Sequence, residues 1–250
     1  MIHVGALPGT PRSGAGVAAL ARAAAAEAKL LEREGVDAIL LENMHDLPYL
    51  NRRVGPEIVA AMTAICGEVR AAVRLPLGVQ VLAGANREAL AVAHSAGLQF
   101  IRCEGFVFSH IADEGLMAEA DAGPLLRYRR MIGAEGVAVI ADVKKKHAAH
   151  AITSDVSLVE MARAAEFFGA DGVVVTGTAT GEPTNPAEVA AVAGAIRAPV
   201  FVGSGVTPEN VGEYVGHAAA VIVGSSLKKA GRWNNPPEAK RVRAMVRAVR

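Results

Sequence analysis

Val200-Phe201-Val202-Gly203-Ser204-Gly205-Val206-Thr207-Pro208-Glu209-Asn210 and, a little further on, Ala220-Val221-Ile222-Val223-Gly224-Ser225-Ser226-Leu227-Lys228-Lys229 share one plan. Each is a short aliphatic run that breaks into a glycine turn. Glycine lets backbone N–H groups come close to an oxyanion. Thr207 is placed to cap a helix starting at Pro208. The N-terminus of that helix would add partial positive charge. The second turn adds the hydroxyls of Ser225 and Ser226 and the cations Lys228 and Lys229. Two such turns after the last two strands of an α/β barrel form a phosphate-type site. Gly203, Ser204, Gly205, Gly224 and Ser225 are therefore the expected anion ligands. The competing explanation is that these glycines only make tight turns.

The rest of the chain repeats the same alternation. Short β-branched or aliphatic runs bounded by Gly, Pro, Asp or Asn read as strands near 2–6, 38–42, 77–82, 100–103, 137–142, 172–176, 200–203 and 220–223. Helical segments are read at 17–34, 87–96, 158–168, 187–196 and 237–249, several of them stopped by Gly35, Gly97 or Gly169. Eight strand–helix units predict a single (β/α)8 TIM barrel spanning 1–250. An open doubly wound sheet would need a dinucleotide turn after its first strand, and Gly5-Ala6-Leu7-Pro8-Gly9 lacks that spacing. The longest irregular stretch, 105–123, follows the fourth strand and is expected to be a lid, with Phe106 and Phe108 in it.

Composition narrows the function classes. The chain has 250 residues, of which 52% are hydrophobic and only 4% aromatic, so its core must be mainly aliphatic. A net charge of +1 gives no reason to expect a nucleic-acid partner. Cys66 and Cys103 have neither metal spacing nor a disulfide framework and read as buried thiols. No apolar stretch reaches transmembrane length, and no signal segment precedes the first strand. A cytoplasmic homo-oligomer acting on a small molecule, with or without a phosphate, is the expectation. No cofactor is implied.

In a barrel, side chains at the C-terminal strand ends point into the active-site mouth, and strand alternation selects them. His3 and Gly5 share a face of the first strand. Glu42 ends the second and Asn43 follows it. Gln80 lies on the third. Arg102 and Glu104 share a face of the fourth, Asp142 and Lys144 one of the fifth. Thr176 ends the sixth. Any one of these polar groups has a structural explanation, but six successive polar strand ends imply a shared pocket. Glu42, Glu104 and Asp142 are the candidate catalytic carboxylates. His3, Asn43, Gln80, Arg102, Lys144 and Thr176 are the candidate substrate ligands. His3, Glu42 and Asp142 offer a weak case for a cation, and no metal site is assigned. His147 and His150 fall in what reads as a solvated loop.

Five stretches together resemble the BtpA/SgcQ family: His3-Val4-Gly5-Ala6-Leu7-Pro8-Gly9-Thr10-Pro11, Leu41-Glu42-Asn43, Leu126-Arg127-Tyr128-Arg129-Arg130, Ala141-Asp142-Val143-Lys144-Lys145-Lys146-His147-Ala148 and the run Val202 to Asn210. The likeness keeps the motif order along nearly the whole chain. It implies a TIM barrel of the ribulose-phosphate-binding type and leaves the activity open. Some members carry the name of a photosystem I biogenesis factor, whereas others are labelled nucleosidases or sit among sugar-catabolism proteins. The chain departs from the family pattern at Arg102-Cys103-Glu104 and at Ala112-Asp113-Glu114-Gly115, where Arg-Val-Asn and Thr-Asp-Gln-Gly are usual. Both departures add carboxylates.

Three functions follow. Hydrolysis of a glycosidic bond in a nucleoside or phosphorylated sugar would use the paired carboxylates. A sugar-phosphate isomerase, epimerase or aldolase would use Lys144 or Lys146 if either is desolvated. A non-enzymatic photosystem I-type assembly or stability factor would need a partner surface. The segment 125–131 and the basic C-terminal helix with Arg241, Arg243, Arg247 and Arg250 are the two to consider.

Overall fold

The structure is a computed structural model that describes residues 1–177 and 182–250. Eight parallel strands form one sheet in the order β1 (Ile2–His3), β2 (Ile39–Glu42), β3 (Leu77–Gln80), β4 (Phe100–Cys103), β7 (Ala138–Val143), β9 (Gly172–Thr176), β10 (Val200–Gly203) and β11 (Ala220–Ile222). That is the order of the chain itself. The Met1 ammonium donates to the Val223 carbonyl at 2.7 Å, bringing the end of β11 against the start of β1. The protein is a TIM barrel. Its strands are aliphatic on both faces because helices cover the outside and side chains fill the inside.

Helices α1 (Val17–Arg33), α2 (Pro56–Ala72), α3 (Asn86–Ser95), α4 (Ala122–Met131), α5 (Leu158–Phe167), α6 (Pro186–Ala193) and α7 (Ala239–Val249) lie outside the strands. α1 buries Ala21, Ala24, Ala25, Ala28 and Leu31, one stripe of a helix. α2 was not among the expected helices. Its proline start and its buried Ile58, Ala61, Met62, Ile65, Cys66 and Val69 carry the same signal. α5 begins with a full capping box between Ser157 and Glu160.

Two expectations need correction. The chain after β10 does not form a helix from Pro208. Only a 3-10 turn at Val211–Glu213 appears. Gly212 and Gly216 raise the cost of helix there, and the β-branched Val211 and Val215 add to it. Thr207 therefore caps no α-helix at Pro208, and among the described residues the segment after β10 offers the anion site no helix dipole. The stretch 105–123 is also not irregular. It folds into the hairpin β5 (His110–Ala112) and β6 (Gly115–Met117), and β5 pairs in turn with β8 (Ala148–Ala149) from the loop after β7. Phe106 is wholly buried in the barrel core, so it anchors the hairpin's base.

Candidate functional site

The strand ends build a charged floor under one cavity of about 850 Å3. His3 pairs with Glu42 in the β1–β2 register, and Glu42 with Gln80 in the β2–β3 register. Neighbours in register point to the same face, so all three face inward and line the cavity. Arg102 and Glu104 join them from β4. Asp142 takes Arg102 in a bidentate pair, Nε to Oδ1 at 2.8 Å and the terminal nitrogen to Oδ2 at 2.9 Å. Both carboxylate oxygens are thereby occupied, and Asp142 does not line the cavity. Burial of Arg102 would lower its pKa, but the Asp142 carboxylate, together with Glu42 and Glu104, raises it overall.

Lys144 stands elsewhere than expected. Its φ of 53° breaks the strand alternation just after β7, and its side chain is exposed. The next two residues turn inward instead. Lys145 is buried, 3.2 Å from Glu104 Oε2 and 3.4 Å from Glu114 Oε2 on the hairpin. Burial would lower its pKa, and the two carboxylates together raise it. Lys146 lines the cavity with Glu42 outside these ion pairs. Burial, then Arg102, lowers the Lys146 pKa, whereas burial raises that of Glu42 against the pull of Arg102 and Lys146. Both groups are thus pushed toward their neutral forms. Burial likewise raises Glu104, opposed mainly by Lys145.

His3 is held neutral. Burial lowers its pKa to about 3. Its Nδ1 lies 2.7 Å from the Trp233 carbonyl. A carbonyl only accepts, so Nδ1 carries the hydrogen and Nε2 presents a lone pair. That lone pair faces Glu42 Oε2 at 3.9 Å. Gln80 donates from Nε2 to Glu104 Oε1 at 3.2 Å, and its own buried Oε1 has no hydrogen-bond partner among the described residues.

Asn43 leaves the list of substrate ligands. Its amide donates to Asp46 and accepts from the Leu82 N–H, and it does not reach the cavity. It ties the β2 loop to the β3 loop. Thr176 also does not line the cavity, and its buried hydroxyl has no hydrogen-bond partner among the described residues. His147, read as part of a solvated loop, lines the cavity. Tyr49, Glu114, Lys145 and Trp233 were not named as ligands. Tyr49 and Trp233 had no signal, being isolated aromatics in loops. Among the described residues no three metal-type ligands converge.

The two glycine turns meet on one side of this cavity. Ser204, Gly205, Val206 and Thr207 line it together with Gly224, Ser225 and Ser226. Gly203 does not, because it lies one residue deeper, its carbonyl accepting from Thr184. Gly205 has φ +60°, and an added Cβ would sit 2.4 Å from the Glu182 carbonyl carbon. Only glycine fits there. The cations differ from expectation. Lys228 is buried and paired with Glu27 of α1 at 2.9 Å, and Lys229 is exposed. Neither of these lysines lines the cavity, whereas Arg241 of α7 does, as does the acidic Glu209.

A model described as the BtpA family matches residues 1–250. The chain belongs to the BtpA family. An uncharacterized mitochondrial protein of Caenorhabditis elegans is 45% identical over 257 residues, covering 100% of this chain and 91% of that protein. The photosystem I biogenesis protein BtpA of Synechocystis is 37% identical over 250 residues, covering 100% of this chain and 86% of its own. Among solved structures, thiamine phosphate pyrophosphorylase from Pyrococcus furiosus aligns with TM-score 0.60 at 12% identity, covering 90% of this chain and 88% of that one. Geranylgeranylglyceryl phosphate synthase from Thermoplasma acidophilum, solved with sn-glycerol-1-phosphate, aligns with TM-score 0.59 at 16% identity, covering 92% and 87%. At such identities these structures speak for the barrel fold of this BtpA-family chain and not for its activity.

Proposed function

We propose that this BtpA-family chain is an enzyme acting on a small phosphorylated, sugar-like molecule. One observation carries the reading. A single cavity joins the two glycine turns and Arg241 to the charged floor of Glu42, Glu104, Arg102 and Lys146. The turns and Arg241 hold the phosphate, and the floor performs proton transfer at the other end of the substrate.

Lys146 and Glu42 favour isomerase, epimerase or aldolase chemistry. Lys146 tends toward the free amine and Glu42 toward the acid. A neutral lysine attacks a substrate carbonyl, and Glu42 supplies the proton with which the carbonyl oxygen leaves as water. One amine proton passes to the carbonyl oxygen and Glu42 gives the second, so the products are water and a protonated imine beside the Glu42 carboxylate. Arg102, fixed by Asp142, is a charge partner for the substrate, so Asp142 acts as a positioning residue. Hydrolysis of a glycosidic bond is the second reading. It is favoured by Glu42, tuned as an acid, and Glu104, whose charge Lys145 supports, lining the same cavity.

Borohydride trapping separates the two. Sugar phosphates that raise the melting temperature are incubated with borohydride, and the adduct is mapped by mass spectrometry. An adduct on Lys146 supports the first reading. Turnover without an adduct, abolished in Glu42→Gln, supports hydrolysis. If no phosphorylated compound binds, the biogenesis role in the Synechocystis relative's name takes precedence. A homo-oligomeric state and a cytoplasmic location belong to the same proposal. Sedimentation reads the first and cell fractionation the second.

A further inference from the structure

The cavity has a side that neither the anion loops nor the charged floor explains. Met44, Leu47, Tyr49 and Leu82 line it. Leu82 packs with Ala83 and the wholly buried Met117 in an apolar cluster separate from the barrel core, and Met44 and Tyr49 lean against that cluster. The Tyr49 hydroxyl is already bound to the Met44 carbonyl at 2.8 Å. What Tyr49 has left to offer is therefore its ring. The Leu82 N–H is held by Asn43, which fixes this wall in place. Met44, Leu47 and Tyr49 are only half-buried, yet they stand beside a floor of charges.

Topology sets this wall apart from the anion loops. Leu82 follows β3 and Ser204 follows β10, the third and seventh strands of a ring of eight, so they face each other across the mouth. The cavity thus has an anionic-ligand side, a proton-transfer floor and an apolar side. Its volume of about 850 Å3 lies near the upper end of the roughly 300–1,000 Å3 found for small-molecule pockets.

We propose that the substrate is amphipathic, with an apolar chain or flat ring docked on Met44, Leu47, Tyr49 and Leu82 at the end opposite its phosphate. This rests on the phosphate reading above and deepens it. A compact, wholly polar sugar phosphate would leave that wall exposed to water, whereas an apolar group would cover it.

The chain has a single tryptophan, Trp233, and it lines the cavity, so its fluorescence reports binding directly. Wild-type protein is titrated with inorganic phosphate and with methyl, butyl and hexyl phosphate. Hexanol serves as the apolar control. Affinity should rise along the series by up to about fourfold per methylene, the fold-change of a fully buried CH2. In Leu47→Ser and Met44→Ser the rise should flatten while the affinity for inorganic phosphate stays within about twofold. A flat series in the wild type, with phosphate still bound, overturns the amphipathic substrate and leaves the anion site standing. Failure of phosphate and every alkyl phosphate to bind overturns the anion site and this inference with it.

Discussion

At the scale of a residue, His3 ties function to stability. Its pKa is about 3 in the folded chain, against an ordinary 6.5. Between those values the unfolded chain binds a proton that the folded chain refuses. Stability from this group is complete above about pH 6.5 and is lost as pH falls toward 3, by up to about 1.4 kcal/mol per pH unit. His110, lowered to about 4 mainly by burial, adds to the same acid limb. Glu42 and Glu104 oppose it, because a raised carboxylate pKa lets the folded state bind protons first. His3→Gln should therefore flatten urea stability between pH 6.5 and 4 relative to wild type. An unchanged slope would mean that His3 is protonated in the fold. The carboxylates separate in another way. Asp142→Asn leaves buried Arg102 without its charge partner and should cost about 3–5 kcal/mol of unfolding free energy. Glu42→Gln removes only a reluctant charge. It should keep or raise stability while cutting turnover about 10²–10⁴-fold. Equal stability losses in the two variants would end the distinction. Much of this floor was legible in the sequence, because Glu42, Gln80, Arg102 and Glu104 obey the period of a strand. Lys144 misled because alternation ends at its positive φ, and Lys145 and Lys146 take the inward places.

At the scale of an element, the hairpin β5–β6 shows what a sequence hides. Each of its strands has only three residues, too short to show alternation, and Asp113 and Glu114 make its turn. Its placement depends on partners far away in the chain. β8 adds the third strand, Asn51 donates to the Leu116 carbonyl at 3.1 Å, and Lys145 bridges Glu114 to Glu104. Such pairings between distant segments leave no local pattern to read. The barrel strands differ, because burial on both faces makes them aliphatic whatever their partners. The segment expected to be a lid is thus a hairpin flap, joined to the floor by the buried Lys145 as well as by β8 and Asn51. Lys145→Met should release it, since two buried carboxylates then face each other without a cation. Amide exchange across β5 and β6 should rise by about 10²-fold, the scale of a lost buried ion pair, while β2 and β3 stay protected. A bound phosphorylated ligand should slow exchange in the wild-type flap, because Asp113 and Glu114 line the cavity. Equal exchange in Lys145→Met and wild type would show that the lysine does not hold the flap.

At the scale of the whole molecule, the anion loops sit at the seam where the barrel closes. A Cβ on Gly224 would lie 3.3 Å from His3 Nε2, so the loop after β11 presses on the first strand. Arg243 pairs with Glu34 at 3.1 Å, and Arg250 donates to the Gly35 carbonyl, so α7 is tied to α1 across the same seam. Those arginines were weighed above as a partner surface, and these two also hold the seam. The sequential strand order could be read from eight spaced aliphatic runs, but the seam's polar pins could not, because they join residues from opposite ends of the chain. The deepest pin is Lys228. It is 1% exposed, and its ammonium rests 2.9 Å from Glu27 of α1. A buried lysine that loses its carboxylate costs far more than the pair contributes. Glu27→Gln should therefore destabilise the protein by about 3–5 kcal/mol in urea. Lys228→Met alone should cost less, since Glu27 is partly solvated and methionine fills the lysine's path. Combining the two should recover much of the Glu27→Gln loss, giving a coupling of about 0.5–3 kcal/mol in the double-mutant cycle. The anion loop begins four residues before Lys228, at Gly224. Phosphate affinity should therefore fall in Glu27→Gln and return in the double variant, even though neither residue lines the cavity. Strictly additive stabilities, or phosphate affinity unmoved in all three variants, would show that the seam closes and the anion site forms without this pin.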